Sequence, residues 1–254
     1  MTLVLDRVTK SFGGLRAVDS VSMTVPRGAV LGLIGPNGAG KSTLVGCLSG
    51  ALRADSGRAT WDGTDLVGRS PESIVRAGVV RTFQHARLLP GETVLGNVLV
   101  GAHSTGRSGF LSAALRLAPV RRDERAMQSD ARDALDAVGC AHLADRPASE
   151  LTAGQQRLVA LARAVAGRPR LLLLDEPAAG LNDAETAALE ANLRALRADR
   201  DLTVVVIEHH LGFVMSISSQ VVVLSQGRVI ADGTPAEVSA SPEVVSAYTG
   251  AGPC

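Results

Sequence analysis

The run Gly35-Pro36-Asn37-Gly38-Ala39-Gly40-Lys41-Ser42 satisfies G-x-x-x-x-G-K-[ST] at every fixed position. Three glycines at this spacing let the backbone turn its N–H groups inward on a polyphosphate. A helix opening at Lys41 would add its positive dipole end. Lys41 is then expected to bridge β- and γ-phosphates, and Ser42 to hold Mg²⁺. A second chemical pair, Asp175-Glu176, follows the apolar run Leu171 to Leu174. Paired acids behind a buried strand in a phosphate-loop protein meet Mg²⁺ and the attacking water; the alternative is a charge pair at a helix start. Four further residues are ambiguous by themselves. Gln84 ends a strand and reads as solvated, His209 and His210 follow Thr203 to Ile207 as surface residues could, and Phe12 beside Gly13-Gly14 reads as an ordinary core or turn aromatic.

The elements that must position these groups are legible around them. Ala29 to Ile34 reads as a buried strand and Ser42 to Ser49 as a helix, so strand, glycine loop and helix come in the order the motif requires. Leu3 to Val8 and Ala17 to Val25 alternate as strands flanking a turn, which places an antiparallel β-piece ahead of the loop. Ala59 to Trp61 reads as a short strand, Pro71 to Ala77 as a helix, Gly78 to Gln84 as a strand and Thr93 to Val100 as a helix. Phe110 to Leu117 and Asp123 to Val138 are expected to be helical. Arg116, Arg121, Arg122 and Arg125, interleaved with acids, read as a solvated face. Leu158, Leu161, Ala162 and Val165 keep helical spacing until Gly167 and Pro169. Leu171 to Leu174 and Thr203 to Ile207 are uninterrupted apolar runs, as in parallel strands covered on both faces. Asp183 to Leu196 reads as a helix, Val221 to Leu224 and Arg228 to Ala231 as a hairpin, and Glu237 to Tyr248 as one closing helix.

The 254 residues suffice for one or two domains. With 46% apolar but only 2% aromatic residues, Val, Leu and Ala must build the core. A net charge of +1 gives no electrostatic argument for nucleic acid. Cys47, Cys140 and Cys254 lack C-x-x-C spacing, and no signal-like segment opens the sequence, so a reducing cytosol is expected. No apolar run approaches the roughly 20 residues that span a bilayer. If membranes are involved, another chain crosses them.

In this order and spacing, the motifs closely resemble those of the ATP-binding cassette of ABC transporters, from about Leu3 to Gly250. Within that family, Arg81-Thr82-Phe83-Gln84, the stretch from Thr93-Val94-Leu95 to Val100-Gly101-Ala102-His103, Asp175 to Asn182, and Gly233-Thr234-Pro235 to Ala247-Tyr248 resemble the cassettes of branched-chain amino acid importers, the insertion after His103 the longer of their two. The resemblance implies an α/β fold: a phosphate-loop core with an N-terminal antiparallel β-subdomain, 1–84 and 169–254, and an inserted helical subdomain, 85–168. It implies that Phe12 stacks on adenine and that Gly35, Pro36, Asn37, Gly38, Ala39, Gly40, Lys41, Ser42 and Thr43 hold the nucleotide. Glu176 is similar to the general base, His209 to the switch histidine on the γ-phosphate, and Ser42, Gln84 and Asp175 to the Mg²⁺-site residues, with Gln84 also facing the membrane subunit.

Leu151 to Gln155 resembles the signature loop, so Thr152, Gly154 and Gln155 are expected at a γ-phosphate. One helix start already caps the triphosphate, so the signature loop must serve the nucleotide of a partner cassette. Two head-to-tail cassettes would then enclose two ATP, with Asn182 near the crossing. Four positions depart from the family pattern. Thr152-Ala153 replaces the commoner Ser with Gly or Tyr but keeps a hydroxyl, His210 replaces an acid that would cap the next helix, and Ser219 replaces another acid. None touches Lys41, Asp175 or Glu176. The expectation is an active ATPase with ATP and Mg²⁺, peripheral on the cytoplasmic face of the plasma membrane. Its expected partners are permease subunits, a second cassette in a homo- or heterodimer and, indirectly, an extracytoplasmic solute-binding protein, with no nucleic acid. Import of urea or amides, or a soluble non-transport ABC ATPase, are the alternatives.

Overall fold

The computed structural model describes residues 2–82, 88–102 and 118–249. Two sheets dominate. Strands β1 (Thr2–Phe12), β2 (Leu15–Pro26), β4 (Ser56–Trp61) and β5 (Thr64–Asp65) form an antiparallel sheet in the order β2-β1-β4-β5. Strand β1 runs to Phe12, further than the alternation from Leu3 to Val8 suggested, because Phe12 still pairs with Leu15 across the Gly13-Gly14 turn. Leu3, Leu5, Val21, Met23 and Val25 face inward, which is the alternation of a sheet with one solvated face.

The second sheet has the order β10-β9-β3-β8-β7-β6, with β3 (Val30–Ile34), β6 (Val79–Arg81), β7 (Leu171–Asp175), β8 (Thr203–Ile207), β9 (Gln220–Ser225) and β10 (Arg228–Gly233). All neighbours are parallel except β9 and β10, which form a hairpin through Gln226-Gly227. Every residue of β3, β7 and β8 is buried, so these strands carry no alternation and read as solid apolar runs. The carboxyl ends of β3, β7 and β8 therefore deliver the glycine loop, Asp175-Glu176 and Glu208-His209, as expected for an open α/β sheet.

Among the described residues the α-helices are α1 (Lys41–Leu48), α2 (Pro71–Arg76), α3 (Val94–Ala102), α4 (Ala118–Ala137), α5 (Ala153–Ala166), α6 (Asp183–Arg200), α7 (Leu211–Ile217), α8 (Pro235–Ser239) and α9 (Pro242–Thr249). The single closing helix expected over Glu237 to Tyr248 is two. Pro242 has no N–H to continue α8 and disfavours a helical Ser241, but it suits the first turn of a new helix. The helix expected over Phe110 to Leu117 lies outside the described residues.

Two compact units can be told apart. The first comprises Met1–Arg81, Arg170–Ala179 and Arg197–Cys254. Its core joins both sheets to α1 through Leu3, Trp61, Leu44, Leu48, Leu171 and Val205. The second comprises Thr82–Pro169 and Gly180–Leu196 and packs α3, α4 and α5 together. There α3 and α5 approach so closely that a Cβ on Gly101 would stand 1.8 Å from the Arg163 carbonyl oxygen, so only glycine fits. Asn97, fully buried on α3, donates to the carbonyls of Leu89 and Thr93 and accepts from the Leu89 N–H, fixing the chain that leads into the helix.

Candidate phosphate and acid–base site

The glycine loop is held from behind. Gly35 and Gly40 adopt φ of 144° and 99°, and a Cβ at either would strike the carbonyl oxygens of Leu224 or Ala17 at 2.0 and 2.1 Å. Gly227 donates to the Ala39 carbonyl, and Asp19 donates to that of Gly227, so the β9–β10 turn braces the loop. A Cβ on Gly38, by contrast, would meet nothing within 4 Å. No side chain caps α1, so the amides of its first turn point out with no side-chain acceptor. A loop braced at its back and open at its front, ahead of an uncapped helix start, has the chemistry to receive a phosphate.

Lys41 is 5% exposed and folds over its own loop, donating to the Gly35 carbonyl at 2.7 Å and the Pro36 carbonyl at 3.0 Å. Burial lowers its pKa, opposed by the negative charges of Glu176 and Asp175. The lysine and both acids thus share one electrostatic site. Asp175 is buried, and its Oδ2 accepts from Arg81 at 2.7 Å, a pair with 14% and 7% of the side chains exposed. Arg81 also reaches the Ser49 hydroxyl at 3.4 Å.

Glu176 has φ of 50°, rare for a side-chain-bearing residue. Its N–H donates to the Ile207 carbonyl, and its own carbonyl accepts from Ala179, so the chain turns sharply there. The turn brings Glu176 Oε1 to 2.9 Å from His209 Nε2, the two residues assigned from sequence to base and switch. Glu208, between β8 and His209, is 2% exposed; its Oε1 accepts from the Ala178 N–H at 2.6 Å and its Oε2 from the His209 N–H at 3.0 Å. The sequence reading passed over Glu208. Its one signal was an acid directly after the apolar run Val204 to Ile207. His210 provides no side-chain cap for α7, as its substitution for an acid implied. Ser219, the other departure, bonds both the N–H and the carbonyl of Val30 and so ties β9 to β3 without a charge.

Phe12 is 48% exposed, with Lys10 Nζ 5.4 Å from its ring centroid. Lys10 is itself paired to Asp55 at 2.7 Å, and Asp55 accepts from the Ser11 N–H at 2.6 Å. Phe12 is therefore a presented ring on an anchored strand end and not a core residue. Pro36, Asn37, Ser42 and Thr43 keep at least part of their surface in solvent, while Ala39 is buried. Gln84 lies outside the described residues.

Thr152, Gly154 and Gln155 belong to the second unit. Thr152 caps α5 in a closed capping box: the Gln155 N–H donates to the Thr152 hydroxyl at 3.2 Å, and the Thr152 N–H to Gln155 Oε1 at 3.0 Å. Both side chains thus serve the helix start itself. A Cβ on Gly154 would stand 2.2 Å from Glu185 Oε1, and Glu185 exchanges bonds with Asn182 at the start of α6. Among the described residues no cluster of three or more His, Cys, Asp or Glu could hold a metal ion. A cation here would have to lean on phosphate oxygens, which suits Mg²⁺ with the hard oxygens of Ser42 and Asp175. No helix of the described residues is long and apolar enough to cross a membrane.

Known proteins resemble this chain in sequence and in fold. The family model described as "ABC transporter" matches residues 18–179, and one described as "Branched-chain amino acid ATP-binding cassette transporter" matches residues 228–253. The chain is 42% identical over 248 residues to the high-affinity branched-chain amino acid transport ATP-binding protein BraF of Pseudomonas aeruginosa, covering 98% of this chain and 97% of BraF. It is 40% identical over 239 residues to LivG of Escherichia coli K12, of the same description, covering 94% of each. Among solved structures, a nucleotide-free ATP-binding cassette from an ABC transporter superposes with a TM-score of 0.84 at 34% identity, covering 98% of this chain and 99% of the other. The ADP conformation of such a cassette gives 0.85 at the same identity and coverage.

Proposed function

The chain belongs to the ATP-binding cassette family of ABC transporters, and on that premise we propose that it is the ATP-hydrolysing subunit of an importer of branched-chain amino acids. It binds nucleotide and is an ATPase. The observation that carries the mechanism is the 2.9 Å contact between Glu176 and His209 beside a braced, open glycine loop.

Residue roles follow from this geometry. The loop amides and the uncapped start of α1 bind the triphosphate, and Lys41, released from its carbonyls, pairs with phosphate oxygens. Phe12 offers a ring face to adenine. Mg²⁺, held by Ser42, Asp175 and Gln84, would screen the phosphate charge. Glu176 takes the proton of the attacking water, and His209 holds Glu176 in place and reaches toward the γ-phosphate. Thr152, Gly154 and Gln155 serve the nucleotide of a second cassette: Gly154 through its backbone, Thr152 and Gln155 by keeping the helix start formed.

A division into core, 1–84 and 169–254, and helical part, 85–168, completes the reading. The partners are permease subunits, a second cassette and, through the permease, a solute-binding protein, which places the chain at the cytoplasmic face of the membrane. The match at residues 228–253 favours branched-chain amino acids over urea or amides. The test is Glu176→Gln, expected to bind ATP with unchanged affinity and to lose at least about 100-fold in turnover. Retained turnover would remove Glu176 as the base. Recovery of the tagged variant from detergent-solubilised membranes with ATP should bring multi-span permeases; recovery with ribosomes or DNA proteins alone would remove the transport role.

A further inference from the structure

We propose that Glu208 is a positioning residue that sets the Glu176–His209 geometry, an inference that rests on the ATPase reading above. Its carboxylate is 2% exposed, and such a group is retained only where its oxygens are satisfied. Both are, and both by backbone. Oε1 accepts from Ala178, two residues after Glu176, and Oε2 from His209. One side chain therefore ties together the two segments that carry the reacting pair, which lie 33 residues apart in sequence.

The tie is needed because the Glu176 segment is not held by regular structure. Glu176 has left-handed φ, Pro177 offers no N–H, and after β7 ends at Asp175 the Glu176 N–H bonds the Ile207 carbonyl as the chain leaves the ladder. The turn closes through Ala179 N–H to the Glu176 carbonyl at 3.3 Å, and the 2.6 Å bond from Ala178 to Glu208 is the shorter restraint. On the other side, His209 leads into a helix with no side-chain cap, so the bond from its N–H to Glu208 helps fix its backbone. Each segment bonds a different oxygen of Glu208, so at this geometry a side chain with a single acceptor oxygen holds one of them. Glutamine keeps the shape but turns one acceptor into a donor, which faces a backbone N–H and breaks one tie.

The test compares full-length wild type, Glu208→Gln, His209→Ala and the double variant. Steady-state ATP hydrolysis gives kcat and KM, and histidine ring NMR of the nucleotide-free protein reports on the His209–Glu176 contact. Expected for Glu208→Gln are a kcat at least tenfold lower, a KM within twofold of wild type, a displaced His209 ring resonance, and little further loss when it is added to His209→Ala. An unchanged kcat and ring resonance would overturn the proposal, as would losses that multiply in the double variant. If Glu208→Gln does not fold, Glu208→Asp, which keeps the charge but is one methylene too short to span both amides, takes its place with the same expected split. Absence of hydrolysis by the wild type would defeat the ATPase reading. The ring resonance would still decide the positioning role.

Discussion

Removing the Arg81 guanidinium tests how the Asp175 carboxylate is held. The pair is 2.7 Å long, with 14% and 7% of its side chains exposed, so water can screen little of what is lost. Breaking a buried ion pair by deleting one partner costs about 3–5 kcal/mol, because the remaining charge is stranded. Arg81 keeps slightly more solvent contact than Asp175, so the lower end, about 3 kcal/mol, applies to Arg81→Met. For a chain of this size that corresponds to a Tm lower by roughly 6–12 °C. The assay is thermal unfolding of nucleotide-free protein in EDTA, so that no cation substitutes for the guanidinium. The double variant Arg81→Met/Asp175→Asn should regain at least about 1 kcal/mol over Arg81→Met, because the stranded charge is gone. A Tm for Arg81→Met within about 2 °C of wild type would refute the reasoning, since it would place the pair among exposed ones.

Three further outcomes follow from local structure. Thr152→Ala should destabilise the start of α5 by about 1 kcal/mol, visible as faster amide exchange in its first turn, while Thr152→Ser leaves it intact; equal exchange in both would deny the capping role. Burial pushes the Cys47 and Cys140 thiols up to about 11, so neither should be alkylated at pH 8 in the folded protein, and labelling of either detected by mass spectrometry counts against the packing. Arg228 and Arg16 hold Asp19 below the usual carboxylate range, and Lys10 with the Ser11 amide does the same for Asp55. Because folded-state values are depressed, the stabilisation is complete above the unfolded value of about 3.9 and is lost as pH falls through the lower folded values. Tm should therefore hold from neutral to about pH 5 and fall below about pH 4, with a smaller fall in Asp19→Asn.

What the sequence made legible was local. The glycine loop, the acids at the end of β7 and the histidine after β8 are short motifs at strand ends, and three wholly buried strands announce themselves as apolar runs. What it hid were pairings between distant segments. Arg81 meets Asp175 across 94 positions and Ala178 meets Glu208 across 30, and nothing in the spacing of those residues marks them as partners. Thr152-x-x-Gln155 fits a capping box, which the structure closes. One misreading was of a different kind. Ser241-Pro242 marked a helix boundary inside an apolar-periodic stretch, and there the period outweighed the proline.

The central claim, that ATP hydrolysis by this chain drives uptake of branched-chain amino acids, is tested most directly in cells of its host from which the chain has been deleted. Uptake of labelled leucine, isoleucine and valine at low external concentration should fall on deletion. Wild type should restore it, and Glu176→Gln, expressed to the same level, should not. Undiminished uptake of all three after deletion, or restoration by Glu176→Gln, would contradict the account.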